Sequence, residues 1–462
     1  MRDRAPSSVS HSATHTPLTR ARWPRIIGTT LVTLVVIVAL LAACVPYLLP
    51  ANPTLGAHTR QAAALVIFGA SYLALAIGKI PGLSIDRAGI ALVGAGLMVA
   101  AGVLPLNDAY KAIDLDTLTL LLGMMIVVAS LRLSGFFAIA TTWIAAHAKT
   151  PITLLCAVTA ISGFFSAFLV NDAICLVLAP LVLELTLQLG RKPIPYLLAV
   201  AMASNIGSTA TITGNPQNIL IGGFSQIPYT KFAVTLGPVA LIGLIITAGL
   251  ITLCHRTEFA SPAVMNTVTV NMRVNRALVA RALLATTAMV ALFFVGLPPA
   301  KAAIIIAGLL LLTRRLKTRR IYAEIDWPLL VMFAGLFIIT AGAQRALLTP
   351  ALIARVALLR LDQTPILSAV TAVLANLVSN VPAVLVMKPF VAALPDHARA
   401  WLTIAMASTL AGNFTILGSI ANLIVVQKAA ARGVVIGLWD YFRVGAPLTV
   451  ITLAIGTVWL SR

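Results

Sequence analysis

The sequence predicts an all-α polytopic membrane protein with 11 transmembrane helices and two re-entrant hairpins, arranged as two inverted-topology repeats. Of its 462 residues, 60% are hydrophobic and 10% charged, whereas a soluble domain carries about a quarter charged residues. The mean hydropathy is +1.00, and the apolar residues form long runs rather than helical stripes, so most helices are apolar all round and face lipid. The third observation is a duplication: Ala201-Met202-Ala203-Ser204 returns as Ala405-Met406-Ala407-Ser408.

A polar tail, 1–25, with Arg2, Arg4, Arg20, Arg22 and Arg25, precedes the first span at 26–49, and an outer loop extends to residue 60. Leu41-Ala42-Ala43-Cys44 resembles a lipobox, but the tail is long for a signal peptide and the apolar run continues past the cysteine, which favours a retained span. The first repeat, 61–254, holds spans at 61–80, 88–105, 117–134, 196–222 and 232–254 and a hairpin at 152–189. A cytoplasmic linker at 255–276 leads to the second repeat, 277–460, with spans at 277–297, 300–313, 327–344, 401–427 and 444–460 and a hairpin at 365–395. That hairpin segment has 31 residues, about 46 Å of helix, short of the roughly 60 Å that two crossings need, so it turns back. The 38 residues of 152–189 give about 57 Å, and there symmetry with the second half favours a hairpin.

A net charge of +20 would suggest nucleic acid in a soluble chain, but here the bases sit at the ends of apolar runs and orient the protein in the bilayer. No nucleic-acid partner is expected. Eleven spans put the N-terminus in the cytoplasm and Arg462 outside a cytoplasmic membrane. On that topology 23 of the 33 Lys and Arg residues, among them the cluster from Arg314 to Arg320, fall on the cytoplasmic side, as the positive-inside rule demands. Cys44, Cys156, Cys175 and Cys254 lack CxxC spacing and no histidine lies within an apolar run, which argues against a disulfide framework, a zinc site and a histidine relay.

At an offset of 204 the duplication also pairs Thr211-Ile212 with Thr415-Ile416, Gly214 with Gly418 and Asn218 with Asn422. Asn171 and Pro180 pair with Asn380 and Pro389 at an offset of 209, and Ile113-Asp114 with Ile325-Asp326 at 212. Five spans and one hairpin per copy start the second copy on the opposite side of the membrane, an arrangement common among secondary transporters.

Each half carries two polar breaks in apolar sequence. The hairpin tips are Val170-Asn171-Asp172-Ala173 and Ser379-Asn380-Val381-Pro382, and the interrupted spans run from Gly207 to Asn218 and from Gly412 to Asn422. Lipid offers no hydrogen-bond partners, so four such breaks belong together at the midplane. The candidate binding residues are Asn171, Asp172, Thr209, Thr211, Gly214, Asn215 and Asn218 in the first half and Ser379, Asn380, Asn413, Thr415, Gly418, Ser419 and Asn422 in the second. Asn215 before Pro216 reads as the cap of a restarted helix, and Ser419 is its equivalent. Helix N-termini attract a substrate oxygen, while Asn, Ser, Thr and unwound carbonyl oxygens coordinate a cation. Asp172 is the only acid expected at the midplane; it carries a coupling proton or neutralises a sodium ion at the tips, or else braces the hairpin as a neutral acid. Lys388 is expected to snorkel to the outer interface.

These motifs resemble those of the ion transporter superfamily, which includes arsenite-efflux permeases, plant silicon-efflux transporters, sodium/proton antiporters and citrate and dicarboxylate carriers. The resemblance covers about 61–460 and is nearest to the arsenite and silicon branch. It rests on Asn171-Asp172-Ala173 with Leu178-Ala179-Pro180, and on Ser204-Asn205-Ile206-Gly207-Ser208-Thr209-Ala210-Thr211 running into Gly214-Asn215-Pro216-Gln217-Asn218. The partner motifs are Ser379-Asn380-Val381-Pro382, Ala411-Gly412-Asn413 and Gly418-Ser419-Ile420-Ala421-Asn422. The resemblance adds Ser204 and Asn205 to the binding candidates and implies a citrate transporter-like domain whose hairpin tips move against a scaffold of early spans. Dicarboxylate carriers of the superfamily have Ser-Asn-Thr at both tips; Val170-Asn171-Asp172 and Ser379-Asn380-Val381 depart from that and argue against carboxylates.

The expected function is secondary active export of a small inorganic oxyacid or oxyanion, of arsenite or silicate type, by proton antiport. The alternatives are a sodium-coupled di- or tricarboxylate transporter and a sodium/proton antiporter. No HExxH, GxSxG or GxxxxGK[ST] motif is present, so neither an enzyme nor a self-contained ATPase is expected. A homodimer and an external ATPase subunit are both compatible with one chain. No cofactor is expected beyond the coupling ion, H+ or Na+, and no metal beyond sodium at the hairpin tips. A cysteine placed at 462 should react with an impermeant thiol reagent from outside only; labelling from the cytoplasm alone would make the span count even and remove the inverted repeat.

Overall fold

The computed structural model describes residues 53–77, 85–260, 275–312 and 317–462. The polar tail, the first span at 26–49 with Cys44, Lys79, Arg314, Arg315 and most of the linker lie outside the described residues. All regular structure among the described residues is helical. The first half comprises α1 (Pro53–Ile77), α2 (Arg87–Ala100), α3 (Leu115–Ser134), α4 (Pro151–Phe168), α5 (Asn171–Gln188), α6 (Pro193–Ser208), α7 (Pro216–Ser225) and α8 (Tyr229–Cys254). The second half repeats the series as α9 (Arg276–Val295), α10 (Pro299–Leu311), α11 (Trp327–Leu347), α12 (Thr364–Val378), α13 (Asn380–Val391), α14 (His397–Ala411), α15 (Ile420–Ala430) and α16 (Leu438–Leu460).

Among the described residues eight helices are long and apolar enough to cross a membrane, α4 and α5 among them. Six apolar helices among the described residues are shorter, α2 and α10 among them, with 14 and 13 residues. The helices α4 and α5 meet at residues 169–170, and α12 and α13 meet at Ser379. Breaks at 209–215 and 412–419 separate α6 from α7 and α14 from α15. Short connecting helices at Leu106–Ala112, Phe136–His147 and Pro350–Ala357 are additional elements that the apolar runs do not signal.

Local chemistry sets the ends. Asp114 and Asp326 cap α3 and α11, each accepting from the backbone N–H three residues on, at 3.0 Å. Gly135 and Gly296 close α3 and α9 with φ of +87° and +97°, a conformation that a Cβ would penalise.

One layer is built by exchange between the halves: α3 packs on α10, and α11 packs on α2. A Cβ on Gly123 would stand 2.8 Å from the backbone of Ala303, and one on Gly335 would stand 2.6 Å from that of Ala91. Both members of each crossing lie 212 positions from their counterparts, so the same small-residue contact is made twice. Ion pairs fasten the ends, Arg132 of α3 with Glu324 and Arg345 of α11 with Asp108. Beside this layer lie the helix pairs and broken helices. There Gly207 of α6 abuts the backbone of Gly163 in α4, and Ala372 and Ala375 of α12 cluster with Ala411 of α14.

Substituting Gly123 or Gly335 with Val should destabilise the protein by about 1–3 kcal/mol through overpacking. Gly96, with open space where its Cβ would stand, should accept Ala without loss. Thermal unfolding in detergent measures all three.

Candidate functional site

The two breaks are held by matching asparagines. Asn218 Nδ2 donates to the carbonyls of Ser208 at 3.1 Å and Thr211 at 2.9 Å, just where α6 has run out of helical partners. Asn422 Nδ2 donates to the carbonyls of Gly412 at 2.8 Å and Thr415 at 3.1 Å. All three pairs of counterparts are 204 apart. The halves also hold each other: Asn205 Nδ2 donates to Asn422 Oδ1 at 3.0 Å, and its counterpart Thr409 donates through Oγ1 to Asn218 Oδ1 at 3.5 Å. Gly214 and Gly418 stand where the chain folds back on the carbonyls of Ser208 and Gly412, and a Cβ on Gly418 would come within 2.8 Å of the latter.

The restarted helices are capped by Asn215, whose Oδ1 accepts from Asn218 N at 2.8 Å, and by Ser419, whose Oγ accepts from Ala421 N at 3.2 Å. The starts of α7 and α15 therefore face inward, where they meet both hairpin tips around a cavity of about 40 Å3. Asn171, Asp172, Ser379, Asn380 and Ser419 line it together with Arg87, Gln217 and apolar side chains of α11. Asn171 is fixed by its N–H to Gly214 O at 2.9 Å and by its Nδ2 to Asn205 Oδ1 at 2.9 Å. Among the described residues its Oδ1 has no partner, and neither has Asn380 Oδ1, although both residues are more than nine-tenths buried. Buried acceptors without partners are rare, and two of them on the wall of one cavity mark a place for a hydrogen-bond donor.

Asp172 has three neighbours that the sequence reading did not assign to it. Arg87, at the start of α2, and Asp326, the cap of α11, face it, and the start of α15, at Ser419 and Ile420, lines the same cavity. Ser379 holds φ at +78°, a strained conformation for a side chain, at the tip of the second hairpin. Lys388 is exposed, and its ammonium lies 3.8 Å from the centroid of the Phe224 ring.

The other candidates stand behind the cavity. Ser204 Oγ donates to Ala201 O and lies 2.9 Å from Cys175 Sγ, and Thr209 Oγ1 donates to Asn205 O at 3.3 Å. Thr211 donates to Ala167 O, Asn413 Oδ1 accepts from Asn205 at 2.9 Å, and Thr415 takes part through its carbonyl. Gly214, Asn215, Asn218, Gly418 and Asn422 likewise serve the backbone. Arg87 and Gln217 line the cavity without having been singled out. A base before an apolar run looks like an interface anchor, and Gln217 differs from its neighbours only in following Pro216.

The sequence pattern of the family described as "Citrate transporter" (CitMHS) matches residues 72–411. The chain belongs to the CitMHS citrate transporter family. Among similar proteins, the silicon efflux transporter of Oryza sativa subsp. japonica is 29% identical, over 85% of this chain and 96% of its own length. An uncharacterized transporter of Mycobacterium tuberculosis is 28% identical, over 86% and 97%. A transporter of Dictyostelium discoideum named arsB is 24% identical, over 81% and 87%. The crystal structure of the Alcanivorax borkumensis YdaH transporter aligns with a TM-score of 0.48 and 14% identity, covering 86% of this chain and 96% of that one.

In this CitMHS family member the network and the cavity wall separate by experiment. Asn422→Ala strands the carbonyls of Gly412 and Thr415 and should cost about 2–6 kcal/mol of stability. Asn380→Ala removes a side chain whose oxygen has no protein partner, so it should change the unfolding temperature little and weaken solute binding about tenfold. Melting curves and solute titrations on the two variants would distinguish them.

Proposed function

We propose that this family member is a secondary active transporter that exports a small inorganic oxyacid, of arsenous or silicic acid type, in exchange for protons. The observation that carries this reading is the acceptor character of the cavity: Asn171 Oδ1 and Asn380 Oδ1 have no partner among the described residues, and the Asp172 carboxylate lines the same wall. A neutral polyhydroxy acid offers several O–H donors at once, whereas an ionised carboxylate or sulfate offers none. A cavity of about 40 Å3 also suits a solute of a few heavy atoms better than a tricarboxylate such as citrate. The similarity to a rice silicon efflux transporter and a Dictyostelium arsB transporter points the same way.

Exchange follows from competition for one group. An ionised Asp172 accepts a hydroxyl of the solute; a protonated Asp172 has lost its charge and holds the solute less well. Proton binding on one side then favours solute release there, and solute binding on the other side favours proton release. In this reading the protein lies in the cytoplasmic membrane, with the N-terminus and the Arg132 end toward the cytoplasm and Arg462 outside. The hairpins and broken helices carry the site, while α2, α3, α10 and α11 form the scaffold.

Proteoliposomes loaded with arsenous, silicic or citric acid under imposed proton or sodium gradients test this. The wild type should move the first two against a gradient when protons flow the other way. Asp172→Asn, close in shape and unable to ionise, should abolish concentrative transport and retain some solute exchange. Sodium-driven citrate movement that ignores a proton gradient would establish the carboxylate reading instead.

A further inference from the structure

Asp172 stands in the wall between two cavities. The first holds the hairpin tips. The second, of about 90 Å3, lies among α3, α5, α11 and α15, and its polar wall consists of Asp172, Asp326, Glu324 and Arg132. Asn171, Ser379 and Asn380 are absent from that wall; among the described residues Asp172 and Leu329 alone are common to both cavities, so Asp172 is the one polar group there that both reach.

The second cavity has the character of a water passage. A site needs about 10–15 Å3 of such space for one water, with two to four polar partners, and this one has room for several beside three carboxylates and a guanidinium. Asp326 and Arg132 are exposed at its mouth, with Arg132 paired to Glu324, and Asp172 lies at its inner end. Asp326 uses one oxygen to cap α11, through Leu329 N at 3.0 Å. Among the described residues no hydrogen bond ties its other oxygen.

We propose that protons reach Asp172 through this second cavity, by way of Asp326, and that the solute enters and leaves through the first. This rests on the proton-exchange reading above and assigns its proton route. A hydronium ion in the passage gives its proton to a carboxylate and remains as water; only O–H bonds form and break. The charged groups around Asp172 fit the role: Arg87 faces it from the solute cavity, Asp326, Glu324 and Arg132 from the passage, and Cys175 from its own helix. The route is one-sided. Asp114, the counterpart of Asp326, has Lys388 of the other hairpin near it rather than a hairpin-tip carboxylate.

Asp326→Asn keeps the oxygen that caps α11 but cannot carry a proton. Ala129→Leu narrows the passage from α3 without changing charge or touching the solute cavity. Both variants go into proteoliposomes with arsenous acid as solute and a trapped pH-sensitive dye. Solute-linked proton movement and gradient-driven transport should fall at least about fivefold, and the pH dependence of transport should flatten, while solute exchange at a fixed pH changes less than about twofold. If Asp326→Asn moves protons like the wild type, or loses exchange in proportion to coupling, the route is wrong and Asp326 is only a cap. Wild-type arsenous acid transport without proton movement would overturn the proton-exchange reading itself, and this route with it.

Discussion

The structure depends on one constraint: a helix broken at membrane depth must have its stranded backbone groups paired by the protein. Lipid supplies no donors, and each unpaired carbonyl would cost enough to close the break or unfold it. Asn218 and Asn422 meet the constraint with one amide apiece, each reaching back to two carbonyls that the preceding helix leaves open. These amides are in turn held by Thr409 and Asn205 of the opposite half, which ties each break to the other half of the chain. The network fixes where α7 and α15 begin, and so where two helix N-termini and two hairpin tips converge.

A second consequence of duplication is mutual support in the neighbouring layer. The crossings of Gly123 with Ala303 and of Gly335 with Ala91 are one contact used twice, and each joins a helix of one half to a helix of the other. With the ion pairs at either end, this joins into one layer helices that are far apart in sequence. Close backbone approach is the favourable term here, since apolar burial gains little when lipid is the alternative surroundings.

The sequence makes this architecture readable where the physics is local or periodic. Apolar runs mark the helices, and the offset of 204 marks the breaks, because the same capping and carbonyl-pairing demand selects the same residues twice. What escapes is whatever depends on one helix meeting another. Asn205, Thr209 and Asn413 read in the sequence as binding candidates like Asn171 and Asn380, yet only their partners reveal that they brace the structure rather than line the cavity. Arg87 begins an apolar run as any interfacial base would, and only the packing of α2 turns it toward Asp172. Asp326 reads as a helix cap, which it is; that it also faces Asp172 depends on how α11 sits against the hairpin. Ser379 gives no sign of its positive φ, since its counterpart Val170 is at −56°.

That last difference shows where the two halves stop being equal. The backbone scaffolding is symmetric to the residue, but the chemistry at the tips is not: one tip carries Asp172 and an ordinary backbone, the other Val381 and a strained serine. A symmetric frame lets two inverted conformations have similar energies, as alternating access requires. An asymmetric pair of tips gives ions and solutes something to distinguish, because a ligand shifts an equilibrium only through a difference in its interactions with the two states. The carboxylate of Asp172 shares one cavity with Arg87 and the start of α15, and the other with Asp326. Changing its charge therefore changes the contacts between a hairpin, a broken helix and the neighbouring layer at once. A single proton there is placed to alter the fit of the hairpin and broken helix against that layer, which a proton on an isolated surface acid would not do.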